Sequence, residues 1–154
     1  MPIQKAKIFK SDQFMHNVMD DVNVFFGIGG TVTEYESGGT VYRVHSFLSG
    51  TSVIKFSGGG TIDFLILGGG GGSAAAEGYQ GATGGGGAGG LIFGTLTGLP
   101  ASSYAVTIGA QNPNGNGLEG NNSTLVSPAG TYTAYGGGRG GAAPTGATNG
   151  GSGG

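Results

Sequence analysis

Residues 68–90 read GGGGGSAAAEGYQGATGGGGAGG, thirteen glycines in 23 positions, set between the apolar runs Thr61-Ile-Asp-Phe-Leu-Ile-Leu67 and Leu91-Ile-Phe93. Such a tract cannot build a core from side chains, because most of its residues have almost none. Ordering it also costs a large amount of backbone entropy. It is therefore either a flexible linker or a segment whose backbone is the packing material. A glycine run disfavours the α-helix by about 1 kcal/mol per residue relative to alanine. An extended helix with three residues per turn makes no internal hydrogen bonds, so several lying side by side can satisfy one another's peptide groups. Without Cβ atoms the backbones also come close enough for Cα–H···O contacts. Glycine at 78, 81, 84, 87 and 90 keeps the every-third register of collagen, but Ala75 and Phe93 break it on either side. The tract is too short and too poor in proline for a triple helix. The reading that follows is a bundle of polyglycine-type helices stacked on a β unit.

Outward from this tract, the composition is uneven. Of the 39 glycines, 33 lie at or after Gly58, and after Glu77 the only charged side chains are Glu119 and Arg139. A neutral glycine-rich chain lacks the charge that keeps a disordered segment solvated and can satisfy its peptide groups by pairing with itself. The net charge of −2 gives no electrostatic case for nucleic acid. The longest run of large apolar residues, Phe64-Leu-Ile-Leu67, is far short of a membrane span, so no membrane insertion is expected. The N-terminus MPIQKAKIFK lacks the apolar core of a signal peptide, so synthesis and folding in a cytoplasm are expected. The absence of cysteine excludes disulfides and thiolate metal sites.

Strand-like runs flank the tract. Thr31–Glu36, Thr40–Phe47, Thr51–Phe56 and Thr61–Leu67 are separated by Ser37-Gly-Gly39, Ser49-Gly50 and Gly58-Gly-Gly60, which predicts a small antiparallel unit of four strands. Further strands are predicted at Leu91–Thr97, Ser103–Ile108, Ser123–Val126 and Thr131–Tyr135, and Gly136–Gly154 is glycine-rich again. Before all of these, Phe14, Val18, Val22 and Phe25 recur at spacings of four, four and three, with Ser11 as a cap and Asp12 near the start. That spacing predicts one amphipathic α-helix ended by Gly27, Gly29 and Gly30. Its stripe packs either on the chain's own sheet or on other chains, as an attachment and oligomerisation face. The expected fold class is thus mostly β with irregular, polyglycine II-type helices: short antiparallel strands, a glycine-rich sandwich and one N-terminal α-helix. The expected division is residues 1–30 for attachment and 31–154 for the glycine-rich body.

No chemistry-bearing constellation emerges. Leu67-Gly-Gly-Gly-Gly-Gly-Ser-Ala-Ala-Ala76 contains G-x-G-x-x-A at Gly69, Gly71 and Ala74. Gly78 and Gly81 follow too soon for the helix whose N-terminus must hold a pyrophosphate. His16 lies near Asp20-Asp21 and His45 on a strand; a single histidine beside two adjacent carboxylates reads as a solvated face, not a metal site. Asp63 in its apolar strand has no acid partner. No catalytic residue, metal site or cofactor is expected, and the chain is read as a non-enzyme.

The order of several segments carries a resemblance. Tyr42-Arg-Val-His-Ser-Phe47, Ser49-Gly-Thr51, Phe56, Ile62-Asp-Phe-Leu-Ile-Leu-Gly-Gly-Gly-Gly-Gly72, Gly84–Gly90, Ser103-Tyr-Ala-Val-Thr-Ile-Gly109, Gly120-Asn-Asn-Ser-Thr-Leu125 and Gly136-Gly-Gly138 together resemble the glycine-rich domain of bacteriophage tail fibres and adhesins. The resemblance covers roughly residues 40–154 and leaves the first 30 outside. It implies a virion structural protein, assembled in the host cytoplasm, in which loops between polyglycine-type helices touch a bacterial surface receptor, protein or glycan. The loops it points to are Glu77–Thr83, Gln111–Asn122 and Arg139–Asn149. The receptor-contact candidates are Tyr79, Gln80, Asn112, Asn114, Asn116, Glu119, Tyr132, Tyr135 and Arg139. Tyr79, Tyr132 and Tyr135 can stack on a sugar, or else pack locally on glycine backbone. The Phe14/Val18/Val22/Phe25 face and the fibre analogy imply a homotrimer joined to other virion proteins through residues 1–30. The chain stops within a glycine array at Gly150-Gly-Ser-Gly-Gly154, so either the sandwich is incomplete or a longer chain continues it. Two rival readings are a capsid decoration without receptor binding and a flat-faced ice-binding surface protein. The latter needs regularly spaced Thr or Asn on one face, and no such spacing is present.

Overall fold

The computed structural model describes residues 25–74, 84–112, 117–141 and 146–151. Nine strands run through them: β1 (Gly27–Ile28), β2 (Thr31–Ser37), β3 (Thr40–Ser46), β4 (Gly50–Phe56), β5 (Gly60–Leu67), β6 (Leu91–Leu99), β7 (Ser102–Ile108), β8 (Ser123–Ser127) and β9 (Gly130–Ala134). Every pairing is antiparallel.

The largest sheet has the order β1-β4-β7-β8-β9. β4 skips β5 and β6 and pairs with β7, from Gly50 opposite Ile108 to Phe56 opposite Ser102. β5 and β6 form their own two-stranded sheet, with Leu67 opposite Leu91 and a register shift between Gly60 and Ile62. This second sheet lies over β8 and β9. The core sits between the two sheets and is made by period-two alternation. Ile54 and Phe56 on β4, Tyr104 and Val106 on β7 and Leu125 on β8 face Leu96 and Leu99 on β6, with Ile62, Phe64 and Ile66 of β5 packed against them. The Phe56 and Tyr104 rings meet edge-on, with centroids 5.2 Å apart. Fully burying a side chain of this size contributes about 1.5–3 kcal/mol.

The polar side chains buried among the strands have partners. The Tyr104 hydroxyl donates to the Pro100 carbonyl at 3.0 Å, and burial pushes its pKa above the ordinary tyrosine value. Ser123, with no exposed surface, accepts from the Gly109 amide at 2.8 Å. Ser127 accepts from the Ala129 amide and donates to the Gly130 carbonyl, closing the β8–β9 turn.

β2 and β3 stand apart as a hairpin, paired from Thr31 opposite Ser46 to Ser37 opposite Thr40. Its turn uses Gly38 and Gly39 at φ 58° and 77°, the left-handed pair that matches strand twist in a two-residue loop. At its base the His45 Nδ1–H donates to the Gly29 carbonyl at 2.7 Å.

Three expectations are corrected. The described residues contain no helix, so the expected fold class of strands with helices gives way to antiparallel β-sheets joined by irregular glycine segments. Phe14, Val18 and Val22, the face on which the N-terminal helix rested, lie outside the described residues. Its last member, Phe25, is not helical: it leads into β1, stacks on Phe56 with centroids 5.4 Å apart, and the glycines expected to end a helix at 27 and 29 lie in β1 and against the Val53 carbonyl of β4. Finally, the four strands expected to form one unit divide among three sheets: β4 pairs with β7, and β5, its neighbour in sequence, pairs with β6 and packs on the core from the facing sheet.

Candidate functional site

The glycine-rich segments leave the sheets at the ends of β5, β7 and β9 and return, after connectors, to β6 and β8. Their described parts are residues 68–74, 84–90, 109–112, 117–122, 135–141 and 146–151. Peptide groups in these segments bond across segments, and the partner changes with a period of three. Gly68, Gly71 and Ala74 donate to the carbonyls of Gly90, Gly87 and Gly84. Gly69 and Gly72 donate to Asn121 and Leu118, while their own carbonyls accept from Gly137 and Gly140. The carbonyls of Gly70 and Ser73 accept from Asn112 and Gly117. Residues 68–74 therefore address different neighbours on different sides, and 135–141 do the same, bonding 84–90, 68–74, 117–122 and 146–151.

This cross-bonding explains the composition. A Cβ on Gly69 would overlap the Ala110 carbonyl, one on Gly120 the Gly69 carbonyl, and one on Gly137 the Gly87 carbonyl. The segments approach backbone to backbone, so burial is obtained without side chains and the amides remain satisfied. Gly85, with open space around its Cβ position, shows that the requirement is local to the crossing points.

The free end of this layer is the candidate site. There Ala74, Gly84 and Gly141 are joined in one hydrogen-bonded row, with Gly117 bonded to the adjacent Ser73. The connectors 75–83, 113–116 and 142–145 depart from these residues. Of the expected contact residues, Tyr79, Gln80, Asn114 and Asn116 lie in the connectors, outside the described residues. Asn112 and Glu119 are brought together: the Asn112 amide nitrogen donates to the Glu119 carbonyl, which ties off the 113–116 connector, and the Glu119 side chain is exposed. Arg139 is half-buried. Its peptide group is held by Thr148, whose hydroxyl accepts from the Arg139 amide at 3.1 Å and whose amide donates back to the Arg139 carbonyl. Its Nε is buried without a hydrogen-bond partner among the described residues.

The two remaining tyrosines are elsewhere. Tyr132 packs against Phe64 with centroids 4.8 Å apart, on the inner side of β9. Tyr135 is exposed at the junction of sheet and glycine layer, where its carbonyl accepts from the Gly90 amide. A sheet face was also missed. Leu65, Leu67, Leu91 and Phe93 are exposed on the outer face of β5–β6. Its signal is in Phe64-Leu-Ile-Leu67, where apolar residues occupy both parities of a strand and only one parity can face the core.

Among the described residues no group of three or more histidine, cysteine or acidic side chains could hold a metal ion. A family model described as a glycine-rich domain matches residues 46–154, from the end of β3 through the whole glycine layer. No curated protein and no solved structure matches the chain.

Proposed function

We propose a non-enzymatic binding role for this chain, which belongs to the glycine-rich domain family. It is a virion structural protein, a component of a bacteriophage tail fibre or adhesin. Residues 1–30 join it to other virion proteins, as a homotrimer, and the free end of the glycine layer contacts a bacterial surface receptor.

One observation carries the reading: the chain enters the body and gathers its connectors at opposite ends. The Phe26 amide donates to the Ser57 hydroxyl, and the Ser57 amide donates to the Phe26 carbonyl, beside the turn that begins β5. The connectors leave beyond the other end of the same strand, after Gly68. Eight strand residues separate the two ends by about 25 Å, and the glycine segments add to that length. Loops presented from a rigid scaffold are the usual location of recognition. A layer cross-bonded through its backbone supplies such a scaffold while leaving connector side chains free to vary. The exposed Glu119, close to the 113–116 connector, offers its carboxylate as a hydrogen-bond acceptor to a glycan or an outer-membrane loop.

The test uses the full chain, fluorescently labelled, on a panel of bacterial strains. Binding to a subset of strains is expected, with loss of at least tenfold in affinity when residues 113–116 are replaced by a Gly-Ser sequence and Glu119 by Ala, and no change in the circular dichroism spectrum. A folded chain that binds no strain, or binding indifferent to replacement of all three connectors, contradicts the receptor role.

A further inference from the structure

We infer that Arg139 is the anion-binding element of the free end, holding a carboxylate or phosphate group carried by a bacterial surface glycan, which rests on the receptor role proposed above. Arg139 stands out from the composition of its layer. After Glu77 the charged side chains are Glu119 and Arg139 alone, and the neighbouring segments 84–90 and 146–151 hold only glycine, alanine, threonine and asparagine. The guanidinium Nε is sealed from solvent and meets no hydrogen-bond partner among the described residues. Glu119 does not supply one: the ion pair among the described residues is Arg43 with Glu34. An unsatisfied buried donor costs free energy, and a buried charge without a counter-charge costs more. A stem that merely covered glycine backbone would not need a charged head. An oxyanion arriving from outside accounts for the head.

The backbone holds this side chain ready. The Gly138 carbonyl accepts from the Gly87 amide at 2.8 Å, and the Gly140 amide donates to the Gly72 carbonyl at 3.0 Å. Between them, Arg139 is tied by both its amide and its carbonyl to Thr148. Three successive residues are thus pinned to three different segments, so little freedom remains to be lost when a ligand arrives. The side chain is half-buried and Nε is its sealed atom, which leaves the terminal Nη groups as the part that meets solvent. Paired N–H donors of an arginine fork match the oxygens of a carboxylate or phosphate. The surroundings favour a glycan as the carrier. A Cβ on Gly141 would meet the Ala147 amide, so the exposed Gly146 and Ala147 lie against the chain two residues beyond Arg139. Protein partners draw their affinity from aromatic and apolar anchors seated in pockets, and glycine and alanine form no such pocket here. An acidic sugar needs a charge clamp and hydrogen bonds to its hydroxyls, which a guanidinium and exposed peptide groups supply.

The chain has two arginines, Arg43 and Arg139, so a proton–nitrogen correlation spectrum of the full chain carries one Nε–H signal for each. Arg43, exposed and already donating to Glu34, is the internal control. Sodium glucuronate and inorganic phosphate are the probes, with glucose as the neutral comparison. One or both probes are expected to move the Arg139 signal to saturation at about millimolar concentration, and glucose is expected to leave it in place. The probe that binds tighter distinguishes a carboxylate carrier from a phosphate carrier. Arg139→Met keeps the stem and removes the head. It should unfold in urea no more easily than the unaltered chain, because it deletes an unpaired buried charge. It should also bind the recognised bacterial strains about tenfold more weakly or worse. A less stable Arg139→Met would assign the guanidinium to an internal partner and overturn the inference, as would an Arg139 signal that neither probe moves. Strains bound equally by the unaltered chain and by Arg139→Met would overturn it too, while leaving the receptor role standing. A chain that takes a probe at Arg139 but binds no strain would instead overturn the receptor role and leave the anion site.

Discussion

A methyl group at Gly137 would fall inside the Gly87 carbonyl and against the Gly89 amide, whereas one at Gly85 would meet nothing. The two positions look alike in sequence, each inside a run of glycines. Backbone atoms at a crossing cannot swing aside as a flexible side chain can, so the segments must separate and lose hydrogen bonds on both sides. Gly137→Ala should therefore destabilise the protein by about 2 kcal/mol or more, and Gly85→Ala by less than about 0.5 kcal/mol. Urea unfolding of the two variants checks this, and equal effects would mean that the crossing points do not govern the layer. At the same scale, Tyr132 and Tyr135 differ by parity. Tyr132 joins the core beside Phe64, and Tyr135, three residues later, stands outside it.

Among the elements, β6 connects the two sheets, since Leu96 and Leu99 are buried against Tyr104, Val106 and Leu125. Leu96→Ala leaves a cavity that backbone pairing on one side only can hardly collapse, and should cost 2–5 kcal/mol, by the general range for such truncations, in thermal or chemical unfolding. A cost under about 1 kcal/mol would mean that the second sheet is not a cooperative part of the fold. The strand segments are legible in the sequence because alternation and Gly-rich breaks are local signals: the runs at 31–36, 61–67 and 103–108 lie within β2, β5 and β7. Their partners are not legible, because β4 meets β7 across an inserted hairpin and a glycine tract. The spacing of Phe14, Val18, Val22 and Phe25 by four, four and three pointed to a helix, yet Phe25 turns its ring onto Phe56 and Gly60 ahead of a strand; tertiary packing overrides a periodic pattern at its end. The glycine tract pointed to packing through the backbone, which its cross-segment hydrogen bonds show, and to polyglycine-type helices, which are absent among the described residues. It did not announce that the segments would be irregular, since glycine places no side chain in any direction that would reveal the partner. Of the candidate site, the pairing of Asn112 with Glu119 follows from their places on either side of one connector. The exposed Leu65 and Phe93 lie in runs read only as strands, with no face assigned to them.

For the molecule as a whole, the described residues form a two-sheet sandwich prolonged by a layer of backbone. The layer has few side chains to hold it, so its order rests on the amides that cross from segment to segment, and the proposed receptor-contacting end has a defined shape only if those bonds persist in solution. Amide exchange measures that persistence directly. In the intact chain, the amides of Gly69, Gly72, Gly137 and Gly140, each donating across segments, should be protected to the same degree as those of β7 in the central sheet. Exchange at those four glycines at the rate of an unstructured coil, with β7 still protected, would contradict the account and leave the glycine-rich segments as tethers with no platform to present.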